Sequence, residues 1–373
     1  MHKHRNNKVL YLIQLPPPFH GVSLTNQFVY TSEIINQGLS KRLVRLNFSS
    51  SIEGLRRVNF HKFISFVSVK ARLFYQLLFR RPDFVYFSFM PLGTGLVRDS
   101  VYLFLIKMFR VRVLLHLDNR GIRERSKRPF MKTWYRMVFR NTCVIHVTQD
   151  LLDREITGLN IKKLAGAFVV PNTAETFEIT EVKRQANTYR LLFLSNLFPE
   201  KGLLVLLEAM KMCIKNIPEA ELHIYGAGRG GKEDRIYWEF IAENGMEKQV
   251  VMHGPVTGNE KVKVYTSHDL FVFPSYFDEE CFPLVLLEAM QAGLAIVTTG
   301  IGGIPEMVEH EKEALIVNPG DPWELAEAII YLYRHPTLAL QLGQLARERF
   351  FREFSMKHFE RRMRKAFTMI NNI

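Results

Sequence analysis

The sequence predicts an α/β protein made of two doubly wound domains in series. Apolar runs of strand length alternate with amphipathic helical stretches, this alternation occurs twice, and a polar segment separates the two series. The first series is KVLYLIQL, LVRLNF, FVYFSF, VRVLLHL and TCVIHVT. Each run ends in a loop, and basic amphipathic segments lie between them, so the expected sheet is mostly parallel with helices on both faces. Around residues 172–188 the chain turns polar (NTAETFEITEVKRQANTY), as a linker does. The second series follows as RLLFLSNL, ELHIYG, VVMHG, DLFVFPS, LAIVTTG and ALIVN. These limits put one domain over residues 1–178, a second over 186–350 and a basic amphipathic helix over 351–373. Two such halves set two rows of strand C-termini across a cleft, and open α/β sheets bind ligands at those ends.

Length and composition agree with this architecture. A chain of 373 residues, 47% hydrophobic, has room for two cores of ordinary size. No apolar run approaches the eighteen residues of a spanning helix. The start, MHKHRNNKVLYLIQLPPP, has the basic head and short apolar stretch of a signal peptide. Three prolines follow it in place of a cleavage site, so it reads as a first strand and its loop. Cys143, Cys213 and Cys281 are scattered and lack CxxC spacing, which points to a reduced, cytoplasmic setting and to no metal site. Charge is uneven. Residues 1–185 carry 30 Lys+Arg against 12 Asp+Glu, a net of +18, whereas the remainder carries −5 of the total +13. A basic half implies an anionic partner, whether nucleic acid, anionic lipid or a phosphorylated substrate, or else a solvated surface with no partner.

The most informative stretch is PSYFDEECFPLVLLEAMQAGLAIVTTGIGGIPEMV. It runs from a strand end through an acidic loop, a helix and a second strand to a Gly-Gly-x-Pro-Glu turn. Pro283 fits the first helical position and Gly293 the residue past the end. Glu280 then projects from the loop at the positive end of the helix, and Glu288 lies within it. Either carboxylate can serve a ligand, or Glu288 can face solvent and Glu280 can simply favour the dipole. Gly302 and Gly303 form a tight turn that lets a ligand approach backbone. In FLSNLFPEKGLLVLLEAM, Lys201 sits where a helix begins, a place that attracts phosphate. An exposed turn lysine is the alternative.

Gly226, Gly228 and Gly231 satisfy GxGxxG, but they follow the second strand of their half, and the next strand ends in His253-Gly254 without an acidic residue. A nicotinamide dinucleotide site is therefore rejected, and a glycine-rich lip beside a ligand remains. In the first half the loop PPPFHGVS offers His20 and Gly21, and VLLHLDNRG sets His116 and Asp118 at another strand end. The two histidines either face one ligand or serve packing. No GxSxG elbow supports a serine hydrolase.

The second half resembles the retaining glycosyltransferases of the GT-B fold, family 4, of the bacterial polysaccharide and lipopolysaccharide assembly type. SNLFPEKG, HIYGAG, VMHGPV, the stretch from FVFPS to PEMV, and ALIVNPGDPWELAEAI carry the resemblance in order over most of residues 190–330. PPPFHG, HLDNRG, VIHVTQDLL and VVPNTAE match more weakly. The resemblance implies two Rossmann-like domains facing across a cleft, with the C-terminal helix packing back toward the first. It makes Glu280 the first residue of the family's E-x7-E motif, touching the donor sugar, and Glu288 the second, holding the ribose. Lys201 matches the lysine that neutralises the donor phosphates, and His116 the histidine that touches the transferred sugar. Phe282, Leu284, Gly302 and Gly303 fall in matching stretches of the second, donor-binding domain, and His20 and Gly21 in the weaker match of the first, acceptor-binding domain, all as expected substrate-binding residues. Two departures stand out. Ser195-Asn196 replaces the usual Gly-Arg, so Asn196 occupies the place of a diphosphate-binding arginine, for which Arg229 is a candidate substitute. Pro283 replaces a glycine and removes one backbone donor.

The implied reaction moves a sugar from a UDP- or GDP-linked donor to a hydroxyl of a glycan or lipid-linked acceptor. It retains anomeric configuration and uses no cofactor or metal. FISFVSVKARLFYQLLFRR and RERSKRPFMKTWYRMVFRN interleave aromatic and cationic residues, as interfacial helices do. They suggest peripheral docking on the inner, anionic face of the cytoplasmic membrane, unless their apolar sides only cover the first sheet. A non-catalytic nucleotide-sugar or carbohydrate-binding protein on the same fold is the alternative. No nucleic-acid-binding motif accompanies the basic half.

Overall fold

The computed structural model describes residues 7–46, 60–179, 188–228 and 232–372. Arg229 and residues 180–187 of the expected linker lie outside them. The chain divides into two compact units, Met1–Asn172 with Lys357–Ile373, and Thr173–Met356. The first unit thus ends ahead of the expected residue 178 and takes in the C-terminal helix.

Six strands build the first unit's sheet: β1 (Asn7–Ile13), β2 (Leu39–Arg45), β3 (Phe84–Ser88), β4 (Arg112–Leu117), β5 (Cys143–His146) and β6 (Gly166–Val169). Their order is 2-1-3-4-5-6 and every pairing is parallel. The apolar runs are buried on both faces, as parallel strands require. Leu10, Leu12, Val85 and Phe87 point to a core shared with Val69, Leu73 and Leu77. Tyr11, Phe84 and Tyr86 point to the opposite face, where Phe367 of the C-terminal helix Met356–Asn372 packs on all three rings. The helix Phe60–Tyr75 and the π-turn Gln76–Arg80 use Val69, Leu73 and Leu77 to cover the sheet. A second apolar stripe, including Val67, Phe74, Tyr75, Leu78 and Phe79, is exposed.

The second unit carries β7 (Tyr189–Leu194), β8 (Ala220–Tyr225), β9 (Val250–Gly254), β10 (Leu270–Phe273), β11 (Ala295–Thr299) and β12 (Leu315–Val317). Its all-parallel order is 12-11-10-7-8-9. Counted from β7 this is the dinucleotide-fold order, and the direction of winding reverses between β7 and β10. The helices Leu203–Asn216 and Pro322–Arg334 cover one face with Leu206, Met210, Leu325 and Ile329. On the other lies Leu284–Ala292, a helix of which seven of nine residues are buried. Its length is set by Pro283 at the N-cap and by Gly293, left-handed at φ 72°, at the C-cap.

Candidate functional site

The loops after β7 and β10 meet at the reversal point of the second unit. Lys201 ends a short 3-10 turn, Pro199–Lys201, just before the helix Leu203–Asn216. Its ammonium forms an ion pair with the Glu280 carboxylate, which also accepts a bond from Ser275 Oγ at 3.2 Å. The Lys201 ammonium lies 4.9 Å from the Phe277 ring centroid and 5.6 Å from that of Phe273, within cation–π range. Both side chains are mostly buried, at 13% and 9% exposure. Two glycines permit this approach. A Cβ on Gly202, at φ +83°, would stand 2.0 Å from the Pro274 carbonyl oxygen. One on Gly302, at φ +61°, would stand 1.9 Å from that of Glu280. Any side chain at either position pushes a loop out of the site.

Glu288 is buried, so the solvent-facing alternative fails. Its Oε1 accepts from Lys261 Nζ at 2.6 Å and its Oε2 from the Tyr265 hydroxyl at 2.8 Å. Lys261 and Tyr265 lie four apart on the helix Gly258–Thr266, which presents them on one face. Burial, then the Glu288 carboxylate, hold the Tyr265 phenol well above its usual pKa, so it remains a donor. Neither partner stood out in the sequence, although that spacing on a helix between two strands is a signal.

In the first unit, His116 is the last but one residue of β4 and Asp118 follows the strand. His116 is fully buried, and its Nδ1 lies 2.5 Å from the Tyr86 hydroxyl on the neighbouring β3. Its Nε2 is 3.6 Å from Asp118 Oδ1. That nitrogen and both Asp118 oxygens are buried without a hydrogen-bond partner among the described residues. His20 caps the helix Gly21–Thr31, accepting from Ser23 N at 3.4 Å, while Ser23 Oγ accepts from His20 N at 3.0 Å. Burial lowers the His20 pKa and the Asp118 carboxylate opposes that shift. The loops after β1 and β4 thus bring His20, His116 and Asp118 together. His146, one strand further on β5, is pushed down to about 3 by burial, then by His116, with the Asn119 backbone opposing.

Other expected residues are placed less directly, each within its own unit. The Phe282 side chain is 5% exposed and packs edge-on to Phe354, 5.5 Å between centroids, so it supports the loop from below. Leu284 is the first residue of its helix, whose first N–H groups have no partner within the helix. Asn196 follows β7 and its carbonyl accepts from Phe198 N at 2.8 Å. Gly303 caps the short helix Ile304–Met307, and exposed Gly21 begins the helix after His20. Among the described residues, no group of three or more His, Cys, Asp or Glu is placed to hold a metal ion. None of the helices described is long and apolar enough to cross a membrane.

Residues 173–349 match the family of glycosyl transferases group 1. This domain contains Lys201, Glu280 and Glu288. Over 138 residues the chain is 36% identical to an uncharacterised glycosyltransferase of Methanocaldococcus jannaschii, a match covering 36% of this chain and 33% of that one. The chain thus spans about a third of that relative's length. Among solved structures, sucrose-phosphate synthase from Thermosynechococcus elongatus superposes with a TM-score of 0.73 at 16% identity, covering 98% of this chain and 99% of the other. Anabaena HepE in complex with UDP-glucose gives 0.72 at 19% identity, covering 97% and 99%. With its two six-stranded parallel sheets, the chain has the α/β GT-B fold.

Proposed function

We propose that the protein is a retaining glycosyltransferase that moves a sugar from a UDP- or GDP-linked donor to a hydroxyl of a glycan or lipid-linked acceptor. The setting is cell-surface polysaccharide or lipopolysaccharide synthesis on the cytoplasmic side of the membrane. The observation that carries this reading is the Lys201–Glu280 pair at the reversal point of the second unit, with buried Glu288 on the next helix. It is supported by the group 1 match over residues 173–349 and by HepE, a chain of the same fold whose structure holds UDP-glucose.

In this reading Lys201 exchanges Glu280 for the donor diphosphate. The departing diphosphate gathers negative charge as the sugar becomes cationic, so an ammonium and unpaired helix N–H groups stabilise the transition state more than the ground state. The N-termini of Leu203–Asn216 and Leu284–Ala292 supply those groups. Glu280, relieved of Lys201, orients sugar hydroxyls and is not a nucleophile, while Glu288 accepts the ribose hydroxyls. No step is assigned to a metal. The exposed apolar stripe of Phe60–Tyr75, lined by exposed Lys70, Arg72, Arg80 and Arg81, supports docking on an anionic membrane that carries the acceptor.

Calorimetry and thermal shift with UDP, GDP, UDP-glucose, UDP-N-acetylglucosamine and GDP-mannose test the donor site. One of them should raise the melting temperature, because specific ligands stabilise the native state. Lys201→Ala should weaken nucleotide affinity at least tenfold, and Glu280→Ala should abolish turnover with nucleotide still bound. Unchanged nucleotide affinity in Lys201→Ala removes the phosphate role. Asn196, where the family has arginine, favours the second reading, a non-catalytic nucleotide-sugar binder. Donor binding without hydrolysis or transfer selects it.

A further inference from the structure

The first unit holds a buried carboxylate at the end of β4. The Asp118 side chain is 6% exposed, and neither oxygen has a hydrogen-bond partner among the described residues. Taking a carboxylate out of water without hydrogen bonds costs several kcal/mol, and an ion pair offsets this only when its geometry is good. His116 Nε2, at 3.6 Å, is too far for a direct bond. The spacing instead suits an inserted group that accepts from nitrogen and donates to carboxylate, as a hydroxyl oxygen about 2.8 Å from each does.

The Tyr86 hydroxyl, able both to donate and to accept, faces the imidazole. Burial keeps this phenol protonated, so it has one proton to donate, and His116 Nδ1 lies 2.5 Å away. An Nδ1 that accepts leaves the proton of a neutral imidazole on Nε2, facing Asp118. The result is a donor and an acceptor side by side at the end of β4, next to His20. A carboxylate there repels phosphate, so the group received is an uncharged hydroxyl.

We propose that Asp118 is a sugar-contacting residue, its carboxylate and the Nε2–H of His116 together receiving one hydroxyl, with Tyr86 as the positioning residue that fixes the His116 tautomer. This rests on the glycosyltransferase reading and adds to it two residues.

The test uses the full chain with whichever of UDP-glucose, UDP-N-acetylglucosamine and GDP-mannose stabilises it most, beside the matching free nucleotide. Asp118→Asn should cut turnover at least tenfold and leave affinity for the free nucleotide unchanged. Without ligand its melting temperature should equal or exceed that of the parent, since an unpaired buried charge is gone. Tyr86→Phe should shift the ¹⁵N resonances of His116 away from a pure Nε2–H tautomer and lower turnover severalfold. Full turnover in Asp118→Asn, or an equal loss of affinity for free nucleotide, overturns the assignment. So does a lowered melting temperature with turnover intact, which marks a structural ion pair. If no nucleotide or nucleotide sugar binds the parent protein, the transferase reading itself falls, and this inference with it.

Discussion

His268 shows how a single side chain ties the second unit to pH. It is 1% exposed, and its Nδ1 donates to the Val264 carbonyl at 2.6 Å, while Nε2 is without a partner among the described residues. Burial, with smaller contributions from His223, Arg190 and His253 and against the Val264 bond, pushes its pKa down to about 4. The unfolded chain takes up that proton near pH 6.5, so between pH 6.5 and 4 it binds more protons than the native state. Stability must then fall with pH, by on the order of 3 kcal/mol from this residue over that window. Urea midpoints at pH 6.5, 5.5 and 4.5 should decline, and His268→Asn should flatten the decline. An equal slope in the variant means that another group carries it. The candidate site was partly legible at this scale. Glu280, Glu288 and Lys201 could be read because each follows a recognisable strand. Ser275, Lys261 and Tyr265 were harder to read: Ser275 is one serine in a loop, and a four-residue spacing alone does not say that Lys261 and Tyr265 meet Glu288, which depends on how the helices Gly258–Thr266 and Leu284–Ala292 pack.

Among the elements, the C-terminal helix Met356–Asn372 has the clearest structural task. Phe367 is 1% exposed and packs against Tyr11, Phe84 and Tyr86 with centroids 5.3–6.2 Å apart. Tyr86 in turn holds His116, so this helix supports the strand-end constellation through one ring. Phe367→Ala should cost about 3–5 kcal/mol, the usual penalty for an aromatic core truncation. Phe367→Leu should be milder, below about 1.5 kcal/mol if the volume refills. Both are read from urea unfolding, and a loss under about 1 kcal/mol for Phe367→Ala would mean the ring is not part of this core. Eleven of the twelve strands follow from apolar runs in the sequence. The twelfth, β6, is Gly-Ala-Phe-Val, whose two small leading residues keep it from standing out as an apolar run. The expected helix over 351–373 is broken at Ser355, extended at φ −60° and ψ 156° after the π-turn Phe350–Phe354. No proline or glycine marks that break, so a propensity reading runs through it.

For the molecule as a whole, charge and apolar exposure point the same way. Residues 1–185 carry the net +18, and the first unit exposes Phe74, Tyr75, Leu78 and Phe79 on its helix and π-turn, together with Phe130 and Met108 elsewhere. Helices that only covered the sheet would spend their apolar residues inward, as Val69, Leu73 and Leu77 do. The second stripe is what that explanation leaves over. Electrostatic attraction of a polybasic segment to an anionic bilayer is worth about 1 kcal/mol per residue near the surface, fading over a Debye length of about 8 Å at physiological salt. Apolar insertion adds about 25 cal/mol per Å² and does not fade with salt. The two contributions can therefore be separated. In liposome flotation the protein should rise with vesicles containing phosphatidylglycerol and stay down with neutral phosphatidylcholine. Added salt should weaken the association without abolishing it. Phe79→Ser with Tyr75→Ser should remove the salt-resistant part, and Arg80→Glu with Arg81→Glu the salt-sensitive part. Absence from the anionic floated fraction at low salt rules the surface out as a membrane-docking face.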